Sequence, residues 1–264
     1  MRFYIIAIVA FAAMGCQPAT VAPASKIDPP EVISKPDAVV QLAEIVKQLP
    51  TPQPDQSIAE KKHSFIALLL PIIEYENKLI EKKRERLLTV NPASPNAEQQ
   101  EWLAQLAIQY RLDASLISKE RYQELLIRVD QIPANLAISQ GAIESAWGKS
   151  RFAREGNNLF GHWCYETGCG LVPKRRAAGQ KHEVKRFKSV NASVRAYMYN
   201  LNTHNAYKSM RSYRAELRAA DKPLSASVLA QGLTHYSERG QDYVNSVKNI
   251  IKSNRPLINK VKSD

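Results

Sequence analysis

A predominantly helical α+β fold, with a small β-hairpin lobe as its only β part, is predicted by three features of this chain. Apolar residues recur at helical spacing over most of residues 57–264. Five of the ten glycines crowd into 156–188, where that spacing is lost. Eight of the 15 prolines lie between Gln17 and Gln56, a stretch without glycine and too poor in apolar residues to bury a core. Folding is thereby left to the segments that follow.

The composition sets the outer bounds. At 264 residues, the chain can bury a sizeable core without disulfide or metal staples. Apolar residues at 44% and charged residues at 23% exclude wholesale disorder and a multi-span membrane protein. A formal charge of +12 favours anionic partners without naming one. Three cysteines are too few for a disulfide-built scaffold.

Met1 and Arg2 make a basic start to the apolar run Phe3 to Ala13, which ends in Met14-Gly15-Cys16. Eleven apolar residues fall short of the roughly 20 that span a bilayer as a helix. The layout is that of a secretion signal over 1–15. Its Gly-Cys ending resembles a bacterial lipoprotein signal, although Ala13 stands where that motif prefers Leu. The resemblance implies lipidation of Cys16, and Gln17 after it implies the outer membrane. Residues 16–56 then read as a lipidated cysteine and an extended, semi-rigid tether, with a short amphipathic helix expected only over Val39 to Leu49.

The body follows in order. Phe65, Ile66, Leu69, Ile73, Leu79, Ile80, Leu87 and Leu88 predict a helix over Ser57 to Val90, kinked or split at Pro71. Asn91 to Pro95 breaks the pattern. Further helices are predicted over Ala97 to Tyr110 and Lys119 to Val129, completing a helical region 57–130. Pro133 suits the first turn of a helix running to Trp147, with Gly148 as its stop. After the glycine-rich hairpin region come helices over Ala192 to His204, Ala206 to Ala220, Ser225 to Tyr236 and Gln241 to Ser253. Residues 131–264 form the second unit, with a cleft expected between helical body and β lobe.

Chemistry concentrates on Glu144, the single charge between Leu136 and Gly148. On a helix it shares a face with Gln140 and Trp147. Apolar neighbours Ile143, Ala146 and Trp147 would strip its solvation and raise its pKa, the condition for a general acid near neutral pH. A surface glutamate with apolar sequence neighbours is the competing reading.

The run Leu136-Ala-Ile-Ser-Gln-Gly-Ala-Ile-Glu-Ser-Ala-Trp-Gly-Lys-Ser150, followed by Asn157-Asn-Leu-Phe-Gly161, resembles the glucosaminidase domain of bacterial cell-wall hydrolases. His162-Trp-Cys-Tyr-Glu-Thr-Gly-Cys-Gly-Leu-Val-Pro173, His182-Glu-Val184, Asn200-Leu-Asn-Thr-His204 and His235-Tyr-Ser-Glu-Arg-Gly240 are similar to its Bax-type subgroup. The resemblance covers about Ile132 to Asn254. It implies a lysozyme-like fold that hydrolyses the β-1,4 bond after N-acetylglucosamine in peptidoglycan. Glu144 takes the family's general-acid position. Glu183 is the best match for a second carboxylate on the β lobe, Glu166 is the runner-up, and the substrate's acetamide is the third option. Tyr236 matches a tyrosine facing the cleft. Carboxyls roughly 6.5–9.5 Å apart would mean inversion, and roughly 5–5.5 Å retention.

Trp147, Trp163, Asn158, Phe160 and Tyr243 are the candidate substrate-binding residues, with Tyr165 and Tyr207 as further aromatics for stacking on sugar rings. Asn157 and Asn158 also suit holding a turn by side-chain-to-backbone bonds. Cys164 and Cys169, five apart, read as a disulfide in an oxidising envelope. A metal site with His162 and His182 is the alternative. It lacks a second Cys-x-x-Cys pair, and acid catalysis needs no metal, so neither metal nor cofactor is expected.

Lysines and arginines crowd 174–188, and Lys208, Arg211, Arg214 and Arg218 recur along one helix. No nucleic-acid motif accompanies them. Peptidoglycan carboxylates or anionic lipid are the expected partners, the latter beside the anchor at Cys16, for a monomer of the cell envelope. A lytic transglycosylase and a non-catalytic wall-binding lipoprotein are the competing functions.

Overall fold

The computed structural model describes residues 45–51, 53, 55–113, 118–174, 176 and 179–263. The signal segment, Cys16 and the tether through residue 44 lie outside the described residues.

Helix α1, Ile58–Leu88, begins at a capping box in which Ser57 and Glu60 satisfy each other's backbone N–H groups. It runs for 31 residues, about 46 Å at 1.5 Å per residue. Pro71 lies within it without splitting it. Buried Leu69, Leu70, Ile72 and Ile73 flank the proline, and each contributes about 1.5–3 kcal/mol of burial against roughly 3 kcal/mol for an interior proline. Helices α2 (Ala97–Gln109) and α3 (Lys119–Arg128) start at Asn96 and Ser118 caps. Their Leu103, Leu106, Leu125 and Val129 close a small core around Leu87 and Val90.

The main core surrounds α4, Ala134–Ser145, whose residues from Leu136 to Ala142 are all buried. A short helix α5 (Arg151–Gly156) leads into the lobe. Strands β1 (Trp163–Cys164), β2 (Gly170–Leu171) and β3 (Glu183–Lys185) make an antiparallel sheet in the order β1-β3-β2, one strand more than the expected hairpin. A Cβ at Gly170 would lie 2.1 Å from the Val184 carbonyl oxygen, so only glycine lets β2 approach β3. Helices α6 (Val190–Thr203), α7 (Lys208–Ala219), α8 (Ala226–Ala230) and α9 (Gln241–Ser263) complete the body. The helix expected over Ser225 to Tyr236 stops early in a 3-10 turn, Gln231–Leu233. The last helix runs ten residues past Ser253, because Ile258 is still buried in the main core. Helix α4 packs against α1, α8 and α9. The first half of α1 thus belongs to the same core as the catalytic-type motif, while its last turn belongs to the small core.

The end of the expected tether is also part of the fold. Residues 45–49 are not helical, in contrast to the expectation for Val39 to Leu49. Val46 N–H donates to Asn191 Oδ1 at 2.9 Å, and its carbonyl accepts from Val190 N–H at 2.8 Å. Asn157 donates to the Lys47 carbonyl, and Leu49 packs on the core. These backbone bonds to neighbouring elements replace the internal bonds a helix would have made.

Asp130 ties four elements together. Its carboxylate takes two bonds from Arg218, at 2.8 and 3.1 Å, with Arg84 at 3.7 Å and Arg214 at 3.8 Å. Arg211 and Arg214 are fully buried, so these two are withdrawn from the anionic partners expected for the basic residues of this helix. Arg214 donates to the carbonyls of Ile127, Asp130 and Gln131 and to Asn202 Oδ1, and Arg211 to those of Leu201 and His204. Burial brings both guanidinium pKa values down to about 10. For Asp130, burial pushes the pKa up, but the Arg218 hydrogen bond and the charges of Arg214 and Arg84 outweigh it, leaving the carboxyl below its usual value. That stabilisation is present above the unfolded value of about 3.9 and is lost as pH falls through the lower folded value. Asp130→Asn is expected to destabilise the protein by about 3 kcal/mol in chemical denaturation, by leaving buried arginines uncompensated. The variant should also lose stability less steeply than wild type below about pH 4.

Candidate active site

Helix α4 ends one residue after Glu144, two residues earlier than expected. Ser145 Oγ donates to the Gly141 carbonyl and accepts from Gly148 N–H at 2.8 Å. Ala146, Trp147 and Gly148 then take left-handed φ values of 51°, 60° and 77°. Left-handed backbone at a bulky residue costs on the order of 1–3 kcal/mol and is held by its surroundings. Here the Trp147 ring meets Phe65 edge-on at 5.6 Å, and the Lys62 ammonium lies 5.0 Å from its centre. Trp147 therefore lies beyond the end of the helix that carries Glu144, and its half-buried ring packs against α1.

Glu144, half-buried, faces the β lobe. A Cβ at Gly161, where φ is +69°, would lie 3.5 Å from Glu144 Oε2. Glycine thus supplies the turn and keeps the space beside the carboxylate clear. On the body side stand four tyrosines. Tyr243 on α9 accepts from Gln140 Nε2 at 3.0 Å. Tyr197 on α6 donates to Gln140 Oε1 at 2.8 Å. Tyr236 stacks on Tyr243 at 5.3 Å, and Tyr207 lies 5.7 Å from Tyr236. Burial, reinforced by the Glu144 charge, raises the pKa of all four phenols, that of Tyr207 to about 12. All four stay protonated donors at neutral pH.

Tyr236 was expected to face the cleft. Its hydroxyl donates to the Phe160 carbonyl at 3.0 Å and pins the lobe's entry loop to the body beside Glu144. Phe160 is buried in the main core and stacked on Tyr197 at 4.0 Å. Asn158 is likewise buried. Its Nδ2 donates to the His162 and Lys185 carbonyls, both at 2.8 Å, and its Oδ1 accepts from His162 N–H, so it holds the lobe as its turn-holding reading implied. Tyr243 is almost wholly buried, its ring stacked on that of Tyr236. Trp163 stays 41% exposed at the lobe surface, stacked on His182 at 4.2 Å, and Tyr165 is 40% exposed nearby in sequence.

Cys164 and Cys169 form a disulfide with Cα atoms 6.2 Å apart. Glu183 lies beside it on β3, and its oxygens accept from Gly168 N–H at 3.0 Å and Gly170 N–H at 2.8 Å. These two donors hold its carboxyl below the usual range. Glu183 is thus turned into the β1–β2 loop, while Glu166 is exposed on that loop. Cys164, Cys169 and Glu183 are the one cluster of metal-ligand type among the described residues, and its two sulfurs are bonded to each other. A groove of about 490 Å³ between α1 and α9, lined by His63, Leu70, Pro71 and Val261 among others, includes none of the residues around Glu144. Among the described residues, no helix is long and apolar enough to cross a membrane.

Sequence reasoning missed Tyr197 as a partner of this site. The available signal was Gln140: an amide at the centre of a buried, uncharged helix needs partners from neighbouring elements. The space kept by Gly161 could not be read without the fold.

Residues 119–256 match the glucosaminidase family model, described as mannosyl-glycoprotein endo-beta-N-acetylglucosaminidase. Protein bax of Escherichia coli K12 is 34% identical over 200 residues, covering 75% of this chain and 71% of that protein. The peptidoglycan hydrolase FlgJ of Escherichia coli, from strain K12 and from O157:H7, is 25% identical over 226 residues, covering 79% of this chain and 66% of FlgJ. No solved structure matches the chain significantly. With half the chain matched by the family model and most of it aligned to a bax protein, this chain belongs to the glucosaminidase family as a Bax-type member.

Proposed function

We propose that the chain is a peptidoglycan hydrolase, an endo-β-N-acetylglucosaminidase that cleaves the β-1,4 bond after N-acetylglucosamine with Glu144 as general acid. The observation that carries this reading is one carboxyl at the seam of helical body and β lobe, fronted by Gly161 and backed by tyrosine hydroxyls. The family description names the bond type, and the name of the FlgJ relative supplies peptidoglycan as substrate.

In the proposed reaction Glu144 gives its proton to the glycosidic oxygen as the bond breaks and positive charge builds on the sugar ring. Glu183 spends both oxygens on its own lobe, which supports a stiffening role. The substrate acetamide, or a water, is the favoured nucleophile. Trp163, exposed on the lobe, is the sugar-stacking candidate that retains a free face. We further propose a monomer in the cell envelope, anchored in the outer membrane through lipid on Cys16, with the tether as its reach toward the wall.

Glu144→Gln should lower peptidoglycan hydrolysis by about 10²–10⁴-fold while binding is kept. Mass spectrometry of released fragments should find reducing-end N-acetylglucosamine. Anhydro-muramic ends would instead make the protein a lytic transglycosylase, and binding without release would make it a wall-binding lipoprotein. Glu183→Gln is expected to keep activity within about tenfold, well short of the loss expected for a catalytic carboxylate. A folded but inactive Glu183→Gln protein would restore Glu183 as the second catalytic group.

A further inference from the structure

The sequence from His162 to Lys188 holds seven lysines and arginines against two glutamates, so these 27 residues carry five of the chain's surplus of 12 positive charges. One of the two acids, Glu183, is buried and turned toward Gly168 and Gly170. On α7, by contrast, Arg211 and Arg214 spend their charge inside the protein. In the lobe, Lys174 and Lys181 are exposed and Arg176 is half-buried. The backbone that carries Arg176 is anchored: Arg151 on α5 donates to the Val172 carbonyl at 2.7 Å, and Arg176 N–H donates to the Pro173 carbonyl at 3.1 Å. Arg176 Nη1 donates to the His182 carbonyl at 3.2 Å. The His182 ring in turn lies flat on the exposed Trp163 indole, with 4.2 Å between centres and 15° between planes. This aromatic plate therefore has one cation bonded to the backbone of its histidine and a second, Lys181, next to it in the chain.

The plate is close to the candidate acid. A Cβ at Gly161 would lie 3.5 Å from Glu144 Oε2. Trp163 follows Gly161 by two residues, at most about 7.6 Å between Cα atoms. We propose that the Trp163–His182 plate, with Arg176 and Lys181, is the subsite for a sugar that carries carboxylates: the muramic sugar, with its peptide stem, next to the bond that is cleaved. This rests on the reading of the chain as a peptidoglycan hydrolase and deepens it, because the substrate class becomes the charged wall polymer and not a neutral N-acetylglucosamine chain. The indole face packs on a sugar ring, while the guanidinium fork and the ammonium take the carboxylates. Anchoring of the segment lowers the cost of ordering it around the ligand. A surface this near Glu144 has to face the polymer on which the carboxyl acts, which favours wall carboxylates over anionic lipid.

The test compares the initial rates, well below saturation, at which the full chain clears two forms of purified peptidoglycan. One is native; in the other the carboxylates have been converted to amides with a carbodiimide and ammonium ion. The wild type should clear the native form roughly three- to tenfold faster, the range for two exposed charge pairs, and the preference should shrink as salt rises. Arg176→Gln/Lys181→Gln should lose the preference and match wild type on the amidated form. Lys181→Gln alone should lose part of it, and its side chain is exposed, so a folding defect does not enter. Lys252→Gln/Lys260→Gln, which removes two exposed cations from α9, should keep it. A wild type that clears both forms equally would overturn the proposal, as would a lobe variant that loses rate equally on both or an α9 variant that loses the preference as fully. Cosedimentation with phosphatidylglycerol vesicles covers the other anionic partner. A lobe double variant that releases the vesicles yet keeps the wild-type preference would give the surface to lipid and overturn the proposal too. A wild type that clears neither form would sink the hydrolase reading itself, and the subsite with it.

Discussion

The burial of α4 is the constraint on which the rest of the structure turns. A helix apolar on every side has to be covered on every side, and α1, α8 and α9 all pack on α4. Two consequences follow. The helix carries one charge, and a charge can be placed only where the cover ends, which is its last turn. The cover must also include α1, although its sequence lies far from the family's motif. Phe65, Ile66 and Leu69 of α1 share a core with Ala137, Ala142 and Phe160, so the long first helix is part of the platform that presents Glu144.

Termination of α4 is as consequential as its burial. Three left-handed residues in succession turn the chain sharply away, and the strain they hold is balanced by the Trp147 ring on Phe65; a Cβ at Gly148 would lie 3.4 Å from the Phe65 ring and 3.7 Å from Leu49. The segment 45–50 thus contributes to the rear wall of the site, and its Lys47 carbonyl is held by Asn157, the residue that opens the lobe loop. Asn157 also donates to Phe187 after β3, so one side chain links strap, loop and sheet. The lobe is a small sheet that could not persist alone. Its rigidity comes from the disulfide, from Glu183 bridging two backbone N–H groups, and from the two asparagines.

How much of this was legible in the sequence depends on what each residue needed to reveal itself. Helix positions were readable because apolar periodicity and Ser, Asn or Pro starts are local signals, and Cys164 with Cys169 were readable because their spacing is local too. The failures are all non-local. Arg211 and Arg214 look like a basic surface stripe until α7 is placed against carbonyls from α3 and α6, where guanidinium groups replace the solvent those carbonyls would need. The ring partners of Phe160 and Trp147, Tyr197 and Phe65, come from other helices and leave no mark in the local sequence. Pro71 looks like a break until the burial on either side of it is weighed against one missing hydrogen bond. Glu144 was readable for the opposite reason: its setting is made of sequence neighbours, and a lone acid in an uncharged run is conspicuous however the rest folds.

The carboxylates divide the work by the partners the fold gives them. Asp130 meets arginines, and Glu183 meets backbone amides. Charged or multiple donors favour the ionised form, and a carboxylate so held is poor at storing a proton. The charge of Glu144 acts instead on four phenols, those of Tyr197, Tyr207, Tyr236 and Tyr243. Burial of those phenols raises their own pKa, which keeps them neutral across the range in which a glycosidase would work. The desolvation that makes arginine the partner of the buried Asp130 thus leaves the phenols around Glu144 protonated.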